Sequence, residues 1–246
     1  MLKNKNIIIT GANGGIGRAL LGECSKNHAN IWACMRSVDE EIKTYINELS
    51  KKYDVDIKIV ILDLLKEESI KEAASTIISE KLNIDGIVNN AGVVGNIDLF
   101  AMTKMQDLRD TFESNFFGPM LFTQRFIKRL IRQKKASIVN MSSIASIDGE
   151  PGQFSYVCSK AAINGATKKL ARELADYNIR VNAIAPGMTK TRMLSRMSDD
   201  LMSEMLGKLA FERLAKPEEI AKLCVFLLSD ESSFITGQII RADGGR

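Results

Sequence analysis

One histidine, His28, stands in a chain of 246 residues. A histidine-based catalytic triad or a histidine-rich zinc centre therefore has almost no material, and no bound metal is expected. The four cysteines, Cys24, Cys34, Cys158 and Cys224, are scattered without a C-x-x-C pair and read as free, buried thiols. No apolar run approaches the ~18–20 residues of a membrane span. The N-terminus (MLKNKNIIIT) carries three isoleucines that run straight into a glycine-rich turn, the pattern of a strand and not of a signal peptide. A cytoplasmic protein is the expectation, with no membrane partner. Charge of one sign is also scarce: 34 basic against 30 acidic residues leave a net +4. The one dense basic stretch, Lys128 to Lys135 (KRLIRQKK), reads as a solvated helix end, so a nucleic-acid partner is not expected.

What is present is ordinary globular material, 45% hydrophobic and 26% charged, enough for one large core. Short β-rich runs alternate with longer amphipathic segments. Strands are expected at Asn6 to Thr10, Asn30 to Met35, Ile57 to Leu62, Gly86 to Asn89, Ser137 to Ser142, Arg180 to Ala185 and Gln238 to Arg241. Helices are expected near Gly15 to Lys26, Val38 to Lys52, Glu67 to Lys81, Thr103 to Arg132, Ser155 to Tyr177 and Pro217 to Leu228. Near-continuous Ile/Val/Leu strands suit a parallel sheet covered on both faces, and strict β-α-β alternation predicts an α/β, doubly wound domain over residues 1–246. Pro217 with Glu218 and Glu219 behind it is a good helix start. The methionine-rich stretch from Gly187 to Gly207 is irregular; it reads either as core or interface filler or, beyond a strand's carboxyl end, as a substrate lid.

Three local patterns carry chemistry. The first strand leads into Thr10-Gly11-Ala12-Asn13-Gly14-Gly15-Ile16-Gly17 and then a helix, a context in which glycines bring backbone N–H groups up to a pyrophosphate. The second strand ends at Arg36, with no acid at its tip. A cation there suits the 2′-phosphate of NADP, although Asp39 reaching a ribose, with Arg36 merely solvated, is the other reading. Tyr156 and Lys160 are four residues apart on a helical pattern, hence on one face. Bringing a phenol from a pKa of about 10 to neutrality needs ~3 units, roughly 4 kcal/mol, of differential stabilisation. A neighbouring ammonium and a cationic nicotinamide together offer that.

Around this pair stand Ser143, thirteen residues before Tyr156, then Asn89-Asn90-Ala91-Gly92, Asn115, Pro186-Gly187 and the closing stretch GQIIRADGG. In this order the sequence resembles the short-chain dehydrogenase/reductase family over essentially its whole length. The resemblance implies a Rossmann-type sheet of seven strands and a role for each matching position. Tyr156 would be the general acid toward a carbonyl oxygen, Lys160 would lower its pKa and hold the nicotinamide ribose, Ser143 would polarise the carbonyl, and Asn115 would hold a relay water. Gly11, Asn13, Gly14, Gly15, Ile16 and Gly17 would form the cofactor turn, with Arg36 at the 2′-position. Asp63 and Leu64 would meet the adenine, Asn90, with Ala91 and Gly92, the adenosine ribose region, and Pro186, Gly187 and Thr189 the nicotinamide side. The T-G-x-x-x-G-x-G spacing matches reductases and not the T-G-x-x-G-x-x-G of the epimerase branch.

Within the family the likeness is greatest to 3-oxoacyl-[acyl-carrier-protein] reductases, especially from Pro217 to Gly245. It implies NADPH-dependent reduction of a ketone, a small carbonyl substrate carried on an acyl carrier protein, and a homotetramer. One departure touches the carrier: Asp176-Tyr177 stands near the end of the catalytic helix where a basic residue would be expected, with Lys134 and Arg172 as the available cations. The alternatives are a dehydrogenase for another small carbonyl or alcohol and a cofactor-binding protein without turnover.

Overall fold

The computed structural model describes residues 1–149, 152–191, 202 and 206–246. Within them seven strands form one sheet: β1 (Asn6–Thr10), β2 (Asn30–Met35), β3 (Ile57–Ile61), β4 (Gly86–Asn89), β5 (Ala136–Met141), β6 (Ile179–Pro186) and β7 (Ile239–Ala242). Their order is β3-β2-β1-β4-β5-β6-β7, and every neighbouring pair is parallel. The period of two along a strand explains the continuous apolar runs. Ile7 and Ile9 enter one core while Ile8 between them enters the other, and on β2 Ile31, Ala33 and Met35 oppose Trp32 and Cys34 in the same way.

Helices α1 (Gly15–Lys26) and α2 (Glu40–Tyr53), with α8 (Pro217–Leu228), cover the first of these cores. Helix α3 (Glu67–Ser79) and a long helical run from Met105 to Gln133 cover the second. In that run Phe122, Phe126 and Leu130 recur every four residues and are fully buried. The Phe122 and Phe126 rings meet edge-on at 5.1 Å between centroids. Start signals worked as expected at α8, where Pro217 opens the helix and the Glu219 carboxylate accepts from the Lys216 N–H at 2.7 Å.

The expected single helix from Thr103 to Arg132 is instead interrupted. It consists of α4 (Met105–Phe112), a π-helical turn over Glu113–Phe117 and α5 (Gly118–Gln133). Pro119 has no N–H to give the carbonyl four residues earlier, that of Asn115, so the hydrogen-bond ladder widens there, and Gly118 N–H bonds to Glu113 C=O instead. The expected helix from Ser155 to Tyr177 ends earlier as well: α7 covers Phe154–Glu173, and a 3₁₀ turn takes Ala175–Tyr177. A short helix α6 (Ala145–Asp148) follows β5.

The strand order reverses between β1 and β4: from β1 the chain steps outward through β2 and β3, then returns to β4 on the other side. A crevice opens at the carboxyl ends of such a pair, and ligands bind there in open α/β sheets. The residues singled out in the sequence converge on it.

Candidate active site

One end of the crevice is the glycine turn. Gly11 has φ +66°, and a Cβ there would lie 2.8 Å from Ala91 Cα; a Cβ on Gly17 would lie 2.1 Å from the Gly11 carbonyl oxygen. Only glycine lets strand, turn and helix pack this closely. Helix α1 begins after Gly14 with no side-chain cap and no acid in its first turn, so its terminal N–H groups are free for an anion. Asn13 donates to the Ser37 carbonyl at 3.2 Å and so ties the turn to the end of β2, while Gly15 and Ile16 open α1. Asn90 faces the same turn, but its amide donates inward, to the carbonyls of Thr10 (2.9 Å) and Gly11 (3.1 Å). The Thr10 hydroxyl in turn accepts from the N–H groups of Asn90 and Ala91 at 3.0 and 3.1 Å.

At the tip of β2, Arg36 is exposed and makes no ion pair or hydrogen bond with any described residue. Asp39 is committed elsewhere: its carboxylate caps α2 by accepting from Ile42 N–H at 2.8 Å. Arg18, the nearby cation on α1, is paired with Glu41. Asp63 lies just past β3, its side chain accepting from Leu65 N–H at 3.1 Å, and Leu64 beside it is buried against Gly118.

The other end of the crevice is built by α7. Tyr156, Lys160 and Asn164 recur every four residues on one face, and each meets the segment that follows β5. Tyr156 faces Ser143, whose hydroxyl is near enough to act on the phenol. Lys160 Nζ donates to the Met141 carbonyl at 2.7 Å and lies 5.8 Å from the centre of the Tyr156 ring. Asn164 bonds to both Ser142 and Ser146. Asn115 lies in the π turn, buried, with its carboxamide exchanging two 2.8 Å bonds with the backbone of Val93 and donating to Ser159 Oγ at 3.0 Å. Gly92 closes the arrangement: a Cβ there would come within 3.2 Å of both Asn115 Oδ1 and Lys160 Nζ. Pro186 C=O accepts from Ile144 N–H at 3.1 Å, Gly187 packs against Asp243, and Thr189 forms a bridge with Ala215.

Burial dominates the electrostatics. Lys160, 4% exposed, has its ammonium pushed down to about 8 by desolvation. Burial raises the Tyr156 phenol, and the Ser143 hydroxyl beside it lowers it by less. Burial thus acts to keep the phenol protonated, and Lys160, whose short bond goes to the Met141 carbonyl, stands 5.8 Å from the centre of the Tyr156 ring.

Sequence reasoning missed Ser142, Ser146, Ser159 and Asn164. One more step of four beyond Lys160 on the Tyr156 face would have found Asn164. The serines carry no such signal, because their partners come from distant segments. Of the stretch from Gly187 to Gly207, Met188 to Lys190 pair with Ala215, and Thr191 lies against Gly15 of the glycine turn. Residues 192–201 and 203–205 lie outside the described residues, and the lid reading with them.

A doubly wound parallel sheet with a glycine turn at its switch point and a Ser-Tyr-Lys group beside it defines a nucleotide-dependent oxidoreductase. Residues 11–246 match the protein family described as enoyl-(acyl carrier protein) reductase. Curated relatives include the 3-oxoacyl-[acyl-carrier-protein] reductases FabG of Thermotoga maritima (37% identical over 244 residues, 99% of this chain and 98% of the relative) and Aquifex aeolicus (35% identical, with the same coverage). Among solved structures, a 3-oxoacyl-[acyl-carrier protein] reductase from Brucella melitensis aligns with TM-score 0.91 and 30% identity over 99% of this chain and 91% of that one. Levodione reductase aligns with TM-score 0.94 and 26% identity, over 99% and 98%. The chain belongs to the short-chain dehydrogenase/reductase family, enzymes that use nicotinamide cofactors to act on CH–OH and C=O groups.

Proposed function

We propose that this protein reduces a ketone to a secondary alcohol with NADPH, and that its substrate is a small 3-oxoacyl thioester carried on an acyl carrier protein. The observation that carries the reading is the grouping of Ser143, Tyr156 and Lys160 at one end of the crevice, with the Ser143 hydroxyl acting on the Tyr156 phenol and the Lys160 ammonium 5.8 Å from the centre of its ring. NADPH, when bound, supplies a hydride to the carbonyl carbon. The chain's part is the proton and the positioning. Ser143 and Tyr156 present two hydroxyls to one carbonyl oxygen. Tyr156, held protonated by burial, donates its proton to that oxygen as negative charge develops. Lys160 stabilises the phenolate left behind and offers a donor to a ribose hydroxyl. Asn115, at the widened turn, supports the relay that returns a proton to this end of the site.

The uncapped start of α1 and the glycine cradle support a pyrophosphate at Gly11 to Gly17, with Asp63, Leu64, Asn90, Ala91 and Gly92 toward the adenosine and Pro186, Gly187 and Thr189 toward the nicotinamide. Unpaired Arg36 supports a 2′-phosphate, and the use of Asp39 as a helix cap argues against its serving as the acid for a free 2′-hydroxyl. The names of the curated relatives support the thioester and the carrier. The exposed apolar side chains of Phe100, Met102, Met105 and Phe117 support association into a homotetramer. Four free cysteines suit the cytoplasm, and one sheet with cores on both faces supports residues 1–246 as one domain.

A second reading, reduction or oxidation of another small carbonyl or alcohol, draws on the likeness to levodione reductase and to an NAD⁺-bound xylitol dehydrogenase. The test is NADPH oxidation with acetoacetyl-coenzyme A beside a panel of ketones and polyols, repeated with NADH. Fast turnover of the thioester with NADPH supports the proposal. An inert thioester beside a turned-over diketone or polyol would move the substrate to the second class.

A further inference from the structure

Ser143 sits on a poorly self-supporting segment. It follows β5 directly and precedes α6, a helix of four residues that is too short to stabilise itself. Its hydroxyl must nonetheless hold a fixed distance to Tyr156. The backbone is pinned at Ser142, whose N–H donates to Ile184 C=O at 2.7 Å, and at Ile144, whose N–H donates to Pro186 C=O at 3.1 Å. Both pins come from β6 and fix one side only. On the side facing α7, the carboxamide that reaches the segment among the described residues is that of Asn164.

The contacts of Asn164 form a closed circuit. Its Oδ1 accepts from Ser142 Oγ at 2.6 Å, and its Nδ2 donates to Ser146 Oγ at 2.9 Å. Ser146 Oγ donates in turn to the carbonyl of Ser143 itself at 2.6 Å, and Ser142 Oγ and Ser146 Oγ lie 3.1 Å apart. One side chain thus grips the residue before Ser143 and, through Ser146, the carbonyl of Ser143. The task needs an acceptor and a donor on one rigid group, which a carboxamide offers and which neither a carboxylate nor an aliphatic side chain does. The Tyr156 partner of Ser143 is on the same helix face two turns earlier, so the circuit fixes Ser143 relative to the helix that carries its partner.

We infer that Asn164 is a positioning residue for this reaction: through Ser142 and Ser146 it sets the place of the Ser143 hydroxyl against Tyr156. The inference rests on the proposed role of Ser143 in holding the carbonyl oxygen. It predicts a loss in kcat without a loss of cofactor binding, because the glycine turn and Arg36 belong to other segments.

The experiment is a double-mutant cycle on the full-length protein, with acetoacetyl-coenzyme A and NADPH, across N164L, S143A and the pair. N164L is expected to lower kcat about 10- to 100-fold, as displacement of a reacting group by about an ångström does, with NADPH affinity by fluorescence titration within about twofold of the parent. In the S143A background the same change is expected to cost almost nothing, since there is no hydroxyl left to position. An equal loss in both backgrounds, or no loss in either, overturns the inference. A kcat untouched by S143A overturns the role of Ser143 itself, a separate outcome read from a separate variant. Should N164L not fold, S146A cuts the circuit from the other side and enters the same cycle with the same expectations.

Discussion

Lys160 Nζ lies 2.7 Å from the carbonyl oxygen of Met141, the last residue of β5, and that bond crosses from the catalytic helix to the strand that delivers Ser143. The ammonium is almost wholly removed from water and has no carboxylate beside it among the described residues, which is why its pKa falls to about 8 against an ordinary 10.5. Below pH 8 the lysine is charged in both folded and unfolded chains and the folded state bears the full desolvation cost. Between about 8 and 10.5 the unfolded chain holds a proton that the folded one has lost, so stability rises with pH across that window. Relative to K160M, in which the titration is absent and the other groups cancel, the parent should gain about 2 kcal/mol between pH 7 and pH 10. Urea denaturation at the two pH values measures it, and parallel pH dependences in parent and variant would sink the account.

Tyr156 carries the opposite sign. Burial raises its pKa, so the phenol keeps its proton throughout the neutral range. Carbonyl reduction should hold its rate through neutrality and decline only in alkali, whereas alcohol oxidation, which needs the phenolate, should rise with pH. Y156F is expected to lower kcat by about 10²- to 10⁴-fold, the usual worth of a positioned proton donor, with NADPH affinity retained. Turnover in Y156F within a few-fold of the parent would remove the tyrosine from the proposed chemistry.

Arg36 is the exposed cation at the end of β2 that Arg18, paired with Glu41, is not free to be. R36A should lower kcat/KM for NADPH about 10-fold or more and leave that for NADH within a few-fold, because only NADPH has the phosphate that the guanidinium would hold. The ratio of the two constants is the measurement, and an unchanged ratio would return Arg36 to the solvent.

Pro119 explains the π turn that places Asn115, since it withholds the N–H that an ordinary helix would give to the Asn115 carbonyl. P119A restores that donor. The turn should tighten and draw the Asn115 carboxamide off Val93 and Ser159, lowering kcat about 10-fold while the melting temperature holds or rises. Loss of kcat and of melting temperature together would mean that Pro119 serves packing alone.

The sequence by itself determined the layers of this protein. Apolar strands such as Ile7 to Ile9 suit a sheet buried on both sides, and the glycines at 11 and 17 permit the turn in which strand and helix nearly touch. The strand expectations came within a residue of the observed ends, because alternation and turn signals are local. Tyr156 and Lys160 were legible for the same reason, as two positions on one helix face. The tertiary structure alone decided what those residues meet. Met141 C=O facing Lys160, Asp39 spent as a cap, and Asn164 gripping Ser142 and Ser146 are contacts between separate segments that the sheet brings together. So too is the balance of charge: a side chain's intrinsic pKa belongs to its chemistry, but how far water is excluded from it is fixed only when the rest of the chain has folded around it.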